Sequence, residues 1–181
     1  MNNTRSLCKL LVIAALITCQ LPALAQDKIE GAFGKKLGEI FNPSSAIGKG
    51  ELTDGTVMYQ FKPEKPFRSL KTYYVLISPT SNQIYSIWGI GSTANAATGK
   101  QEQAVLMELL TQKYGSSEKE GITDALYDRK QISQGPRQIL TKVTGFSDVT
   151  IEIRYTDIEL AALAEKERLV IEAGKANGAG L

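Results

Sequence analysis

Cysteine and histidine are the conspicuous gaps in this chain of 181 residues: there are two cysteines, Cys8 and Cys19, and no histidine at all. Without imidazole, Ser-His-Asp and Cys-His catalysis, histidine-ligated zinc and the usual general base near neutral pH are all excluded. Charge of one sign is missing too. The chain carries 21 basic and 19 acidic residues. With so little excess charge, no global positive field argues for nucleic acid or anionic lipid. Apolar runs long enough to cross a bilayer, about 20 residues, are also lacking.

The one apolar run present is Leu10 to Ile17. Arg5 and Lys9 precede it, no acidic residue occurs before Asp27, and Pro22-Ala23-Leu24-Ala25 follows with small residues at alternate positions. A positive start, a short apolar centre and a small-residue site are the three parts of a secretory signal peptide. The expectation is therefore export to the periplasm or beyond the cell, with residues 1–25 removed between Ala25 and Gln26. The alternative is a lipoprotein acylated at Cys19, which would change the membrane assignment. Thr18 stands where a lipobox wants a very small residue, so the Ala-Leu-Ala site fits better. Removal of Arg5 and Lys9 balances the charges, and removal of Cys8 and Cys19 leaves no thiol. Disulfides, thiolate nucleophiles and zinc-thiolate sites go with them.

What remains, residues 26–173, has the length of a single domain able to bury roughly 70% of its unfolded surface; residues 174–181 read as a flexible tail. Phe33 to Phe41 is apolar but broken by glycines, a short strand or an irregular turn. Asp54-Gly55 signals a type I′ hairpin between Gly50–Leu52 and Val57–Phe61. Strands are expected over Leu70–Ser78 and Gln83–Ile90, then a loop over Gly91–Gly99. A helix follows over Lys100–Tyr114, capped by Thr98 with Gln101 and carrying Leu106, Leu109 and Leu110 as its apolar stripe. Three more strands are expected near 122–132, 137–144 and 149–155, the last alternating Val149, Ile151, Ile153 and Tyr155 inward. A second helix, capped by Thr156 with Glu159, would pack through Ile158, Ala161, Ala162, Leu169 and Val170 and stay wet along 165–168. The order βββα-βββα implies an α+β fold: an antiparallel meander sheet of about six strands with two helices on one face.

Several short motifs look like chemistry and lack its context. Gly89-Ile90-Gly91-Ser92-Thr93-Ala94 fits a dinucleotide fingerprint, yet no helix is expected to start at that turn and no βαβ unit surrounds it. Gly99-Lys100 resembles the end of a P-loop without its first glycine or its Ser/Thr. Ser116-Ser117-Glu118-Lys119 has the serine acyl-enzyme spacing without the companion elements. No cofactor and no metal are expected. Asp124, Asp128 and Glu152 are the carboxylates near strands that an acid-pair hydrolase could use.

Aromatics are distributed unevenly. Tyr59, Phe61, Phe67, Tyr73, Tyr74, Tyr85 and Trp88 crowd into one stretch. Adjacent Tyr73 and Tyr74 must point to opposite sides of a strand, so one of them leaves the core face. Tyr and Trp join rigid apolar area to a polar tip, which suits recognition. The leading expectation is a non-catalytic binding or assembly module, meeting a protein or cell-envelope component through Tyr59, Phe61, Tyr73, Tyr74, Tyr85 and Trp88, with no nucleic acid and no stable membrane span. The alternative is a small envelope-polymer hydrolase working through Asp/Glu carboxylates.

Overall fold

The computed structural model describes residues 26–116, 127–145 and 148–178. Residues 1–25, on which the signal-peptide expectation and both cysteines fall, and Asp124 lie outside them. Among the described residues nine strands form two sheets. β1 (Gly31–Ala32) and β2 (Lys35–Lys36) make a small hairpin. β3 (Gly48–Glu51), β4 (Val57–Gln60), β5 (Thr72–Ile77), β6 (Ile84–Thr93), β7 (Tyr127–Gln134), β8 (Arg137–Thr144) and β9 (Val149–Asp157) make an antiparallel sheet in the order β3-β4-β5-β6-β9-β8-β7. Helix α1 (Ala96–Tyr114) follows β6, and α2 (Ile158–Gly178) follows β9. The fold is α+β and antiparallel, as expected. The seventh strand is β3, the first arm of the Asp54-Gly55 hairpin.

Three turns differ from their sequence reading for local reasons. In the β3–β4 connection Gly55 N–H closes a turn on the Leu52 carbonyl, and only Gly55 has positive φ (81°), so it is not type I′. The Asp54 carboxylate instead accepts from Thr56 N–H at 2.9 Å. The turn with two positive φ values is Phe33-Gly34 (58° and 86°), between β1 and β2. Phe33 tolerates it because its ring is held 4.8 Å from Tyr73 and 6.1 Å from Tyr155. β6 holds Gly89 as expected and runs past Ile90 through Gly91 to Thr93, where a loop was expected. Those glycines are there because Ser69 and Leu70 pass directly over the strand.

The core lies on one face of the sheet. Tyr73, Val75, Ile87, Ile139, Val143, Val149, Ile151, Ile153 and Tyr155 are buried together with Leu106, Met107, Leu110 and Tyr114 of α1. The inward stripe of α1 uses Gln103 and Met107, while Leu109 is half exposed. Thr98 is inside the helix; Asn95 is the cap, its Oδ1 accepting from Thr98 N–H at 2.9 Å. Gly99 sits within the helix against Val143 and Val149, so no phosphate-cradling turn exists at Gly99-Lys100.

α2 departs most from expectation. Its cap is Asp157, whose Oδ1 accepts from Leu160 N–H at 3.1 Å, and it continues to Gly178, past the expected stop near Ala173. Ala164 is its buried apolar residue, whereas Ile158, Leu169 and Val170 are 48%, 52% and 72% exposed. The helix is turned so that small alanines and Arg168 approach the β3–β4 and β5–β6 turns, where Glu167 accepts from Thr80 N–H at 2.9 Å. Ala161 and Ala164 line the cleft there beside the longer Glu165, Arg168 and Glu172. Among the described residues no helix is long and apolar enough to cross a membrane.

Candidate functional site

Strand register distributes the aromatic residues over three places. Tyr59, Phe61 and Tyr73 belong to the core face. Tyr73 packs against Phe33 and Phe61, and its hydroxyl accepts from Phe67 N–H (2.9 Å) and donates to the Leu70 carbonyl (3.1 Å). Burial pushes that phenol above its ordinary pKa. Tyr59 stacks at 6.0 Å from Phe41, with the Lys49 ammonium 5.4 Å from its ring. These three rings hold the sheet to the 29–47 segment.

The opposite face carries a row that the register aligns across the sheet: Gln60, Tyr74, Trp88, Arg154, Leu140 and Gln131. Trp88 is buried, and its indole N–H donates to Ser86 Oγ at 2.8 Å. The Arg154 guanidinium lies 3.7 Å above the Trp88 ring and is ion-paired with Glu152. With Arg154 partly exposed, a cation–π contact of this kind is worth about 1 kcal/mol and holds the guanidinium over the ring. Tyr74, Gln60, Leu140 and Gln131 are half-buried. In the next row Glu152 is aligned with Lys142, and Lys142 with Arg129. The face thus combines tyrosine, a stacked arginine and two further cations around one carboxylate.

Tyr85 goes elsewhere. A bulge in the β5–β6 pairing sets it beside Asp54, Thr56, Glu165 and Arg168 in a cleft of about 410 Å³ between α2 and the two turns. Val57, Ile77, Ala161 and Ala164 supply its apolar lining. Burial, with help from the Asp54 charge, pushes the Tyr85 phenol up to about 12. Asp54 is held below the ordinary carboxylate value, chiefly by the Thr56 N–H. Arg168 is gripped by Glu165 (2.6 and 3.0 Å) and by Glu172 (2.7 Å), which raise its pKa further.

Of the proposed hydrolytic carboxylates, Glu152 is committed to Arg154, and the Asp128 side chain and Asp124 lie outside the described residues. A carboxylic general acid needs a raised pKa, and Asp54 moves the other way. Among the described residues no three His, Cys, Asp or Glu are grouped to hold a metal. Gly89–Ala94 lies largely inside a paired strand, and α1 starts only after it, so no helix N-terminus meets a dinucleotide there. Ser116 is exposed after α1, and Ser117 to Lys119 lie outside the described residues.

No known family, curated protein or solved structure matches the chain.

Sequence reasoning found Tyr74, Trp88 and Glu152 but not Arg154, whose i+2 spacing from Glu152 on an alternating strand was the available signal. The cleft was invisible, because Asp54 and Tyr85 meet α2 only through tertiary packing.

Proposed function

We propose that the protein is an exported, non-catalytic binding or assembly module whose recognition surface is the sheet face centred on Tyr74, Trp88 and Arg154. The observation that carries this reading is the Arg154–Trp88 stack beside half-buried Tyr74. The buried Trp88 ring holds the Arg154 guanidinium in place beside the partly exposed Tyr74 ring, and pre-positioned Arg and Tyr side chains are the kind that concentrate binding energy. Arg154 and its Glu152 partner add charged hydrogen-bonding groups beside the ring, which supports recognition of a protein or envelope component of complementary polarity.

Trp88 is a poor probe because truncating a buried indole costs about 3–5 kcal/mol of stability. Tyr74→Ala and Arg154→Ala suit the purpose. The test is capture of a partner from native envelope extract by the wild-type protein, followed by measured affinity for that partner. Each substitution should weaken binding at least about tenfold, the loss typical of a central interface residue, while leaving the fold intact by circular dichroism. Unchanged affinity in both variants removes the proposal. Export is tested separately by intact mass of the protein from its native host, which should begin at Gln26.

A further inference from the structure

The cleft beside α2 has the make-up of a small-molecule site. Val57, Ile77, Ala161 and Ala164 give it apolar walls, and polar groups reach it from three elements: Asp54 from the β3–β4 turn, Tyr85 from β6, and Arg168 with its two glutamates from α2. Its volume of about 410 Å³ falls inside the range of roughly 300–1,000 Å³ typical of ligand pockets. Apolar walls with a few convergent polar groups are how such pockets bind and orient what they hold.

The charges decide the sign of the ligand. Asp54, Glu165 and Glu172 stand against Arg168 and Lys175, three carboxylates to two cations, so one negative charge is in excess. An anion finds no ready partner, because each nitrogen of the Arg168 guanidinium already donates to Glu165 or Glu172. Asp54 is different. Among the described residues it has no ion-pair partner, and Thr56 N–H occupies only one of its oxygens. That bond also holds it below the ordinary carboxylate value, so it stays ionised. Tyr85 lies within electrostatic reach of Asp54, and the Thr56 side chain stands beside both. Burial keeps the phenol neutral up to about pH 12, so its oxygen retains lone pairs to accept with and its ring presents an electron-rich face. A cation placed there meets a carboxylate and a phenol together.

We infer that this cleft binds a small molecule carrying one ammonium group on a compact apolar body, the ammonium between Asp54 and Tyr85 and the body against Val57, Ile77 and Ala161. The cleft shares no residue with the Tyr74–Trp88–Arg154 patch, so either reading stands or falls without the other. Asp54 is exposed at the mouth, which leaves the ammonium partly hydrated and the ion pair modest. A ligand of about ten heavy atoms should then bind with a dissociation constant near 1 mM.

Phenethylamine is a suitable probe, with 2-phenylethanol and 3-phenylpropionate as its neutral and anionic counterparts. Each is titrated into the protein purified from its native host while backbone amide NMR shifts are followed. Phenethylamine should saturate and move amides of residues 54–57, 85 and 161–172; the alcohol should bind about fivefold more weakly, the worth of an exposed ion pair, and the acid more weakly still. Asp54→Asn keeps the oxygen that accepts from Thr56 N–H, so it should leave the melting temperature nearly unchanged and weaken the amine about fivefold without affecting the alcohol. Ala161→Leu, which fills the apolar wall, should weaken amine and alcohol alike. No saturation by phenethylamine below about 10 mM, tenfold above the expected constant, overturns the inference. So do shifts centred outside the cleft, a propionate that binds as tightly as the amine, or an amine affinity indifferent to Asp54→Asn.

Discussion

Two glycines on β6 show how much one missing methyl group can matter. A side chain at Gly91 would overlap the carbonyl oxygen of Ser69, which belongs to a backbone anchored by the Tyr73 hydroxyl and by the Ser69–Glu102 hydrogen bond. At Gly89 the nearest atom is Leu70 Cδ1, 2.7 Å away at the end of a side chain that can move. Gly91→Ala should therefore destabilise the fold by more than about 3 kcal/mol, beyond the usual range for overpacking, and Gly89→Ala by about 1–3 kcal/mol. Urea denaturation of both variants checks the order. Tyr85 offers a second test. Its folded pKa of about 12 lies above the unfolded 10, so its contribution to stability is complete below about pH 10 and lost as the pH climbs to about 12. Tyr85→Phe cannot ionise, and its stability should fall less steeply over that window than the wild type's. Chemical denaturation at several alkaline pH values measures the slope.

Secondary elements were legible where one face is dry and the other wet. β9 alternates as its sequence does, with Val149, Ile151, Ile153 and Tyr155 buried between half-buried neighbours. The α1 core helix was legible as well, but its start was not. Thr98 with Gln101 has the spacing of a capping box, and so does Asn95 with Thr98 N–H as the receiving group; the choice depended on β6 continuing to Thr93. Asn95→Ala should cost about 1 kcal/mol, as loss of an N-cap does, while Thr98→Ala should cost much less. Thermal unfolding of the pair separates them. α2 is the counter-example. Its composition permits either apolar stripe to face inward, and periodicity has no means of ranking them. The contact with the 52–56 and 79–82 turns selected the alanines.

At the scale of the molecule, the sheet's far edge and residues 27–29 are tied by one side chain. Gln134 Oε1 accepts from Ile29 N–H at 2.8 Å, and its Nε2 donates to the carbonyls of Asp27 and Tyr114 at 3.0 Å each. Arg137 adds a bond to the Ile29 carbonyl at 2.9 Å and pairs with Asp157 at 3.1 Å. Ile29 itself is fully buried. Gln134→Ala leaves two part-buried backbone groups, the Ile29 N–H and the Tyr114 carbonyl, unpartnered, each worth about 1–3 kcal/mol, while the exposed Asp27 carbonyl can turn to water. It should lower stability by at least about 2 kcal/mol, and hydrogen exchange at residues 27–30 should quicken more than exchange in β9.

From the sequence alone came the α+β class, the antiparallel pairing, the two helices, the main sheet to within one strand, and an inventory without imidazole. These follow from local rules: period-two and period-3.6 burial, turn residues, and which side chains exist. Tertiary structure decided where the aromatic residues went. Tyr73 and Tyr74 are neighbours in the chain and belong to different surfaces, Arg154 became planar cover for Trp88, and Tyr85 joined Asp54 and Arg168 across more than a hundred residues of sequence. Those meetings depend on strand order and on a bulge, which are set by the competition of the whole chain for one core rather than by any local pattern.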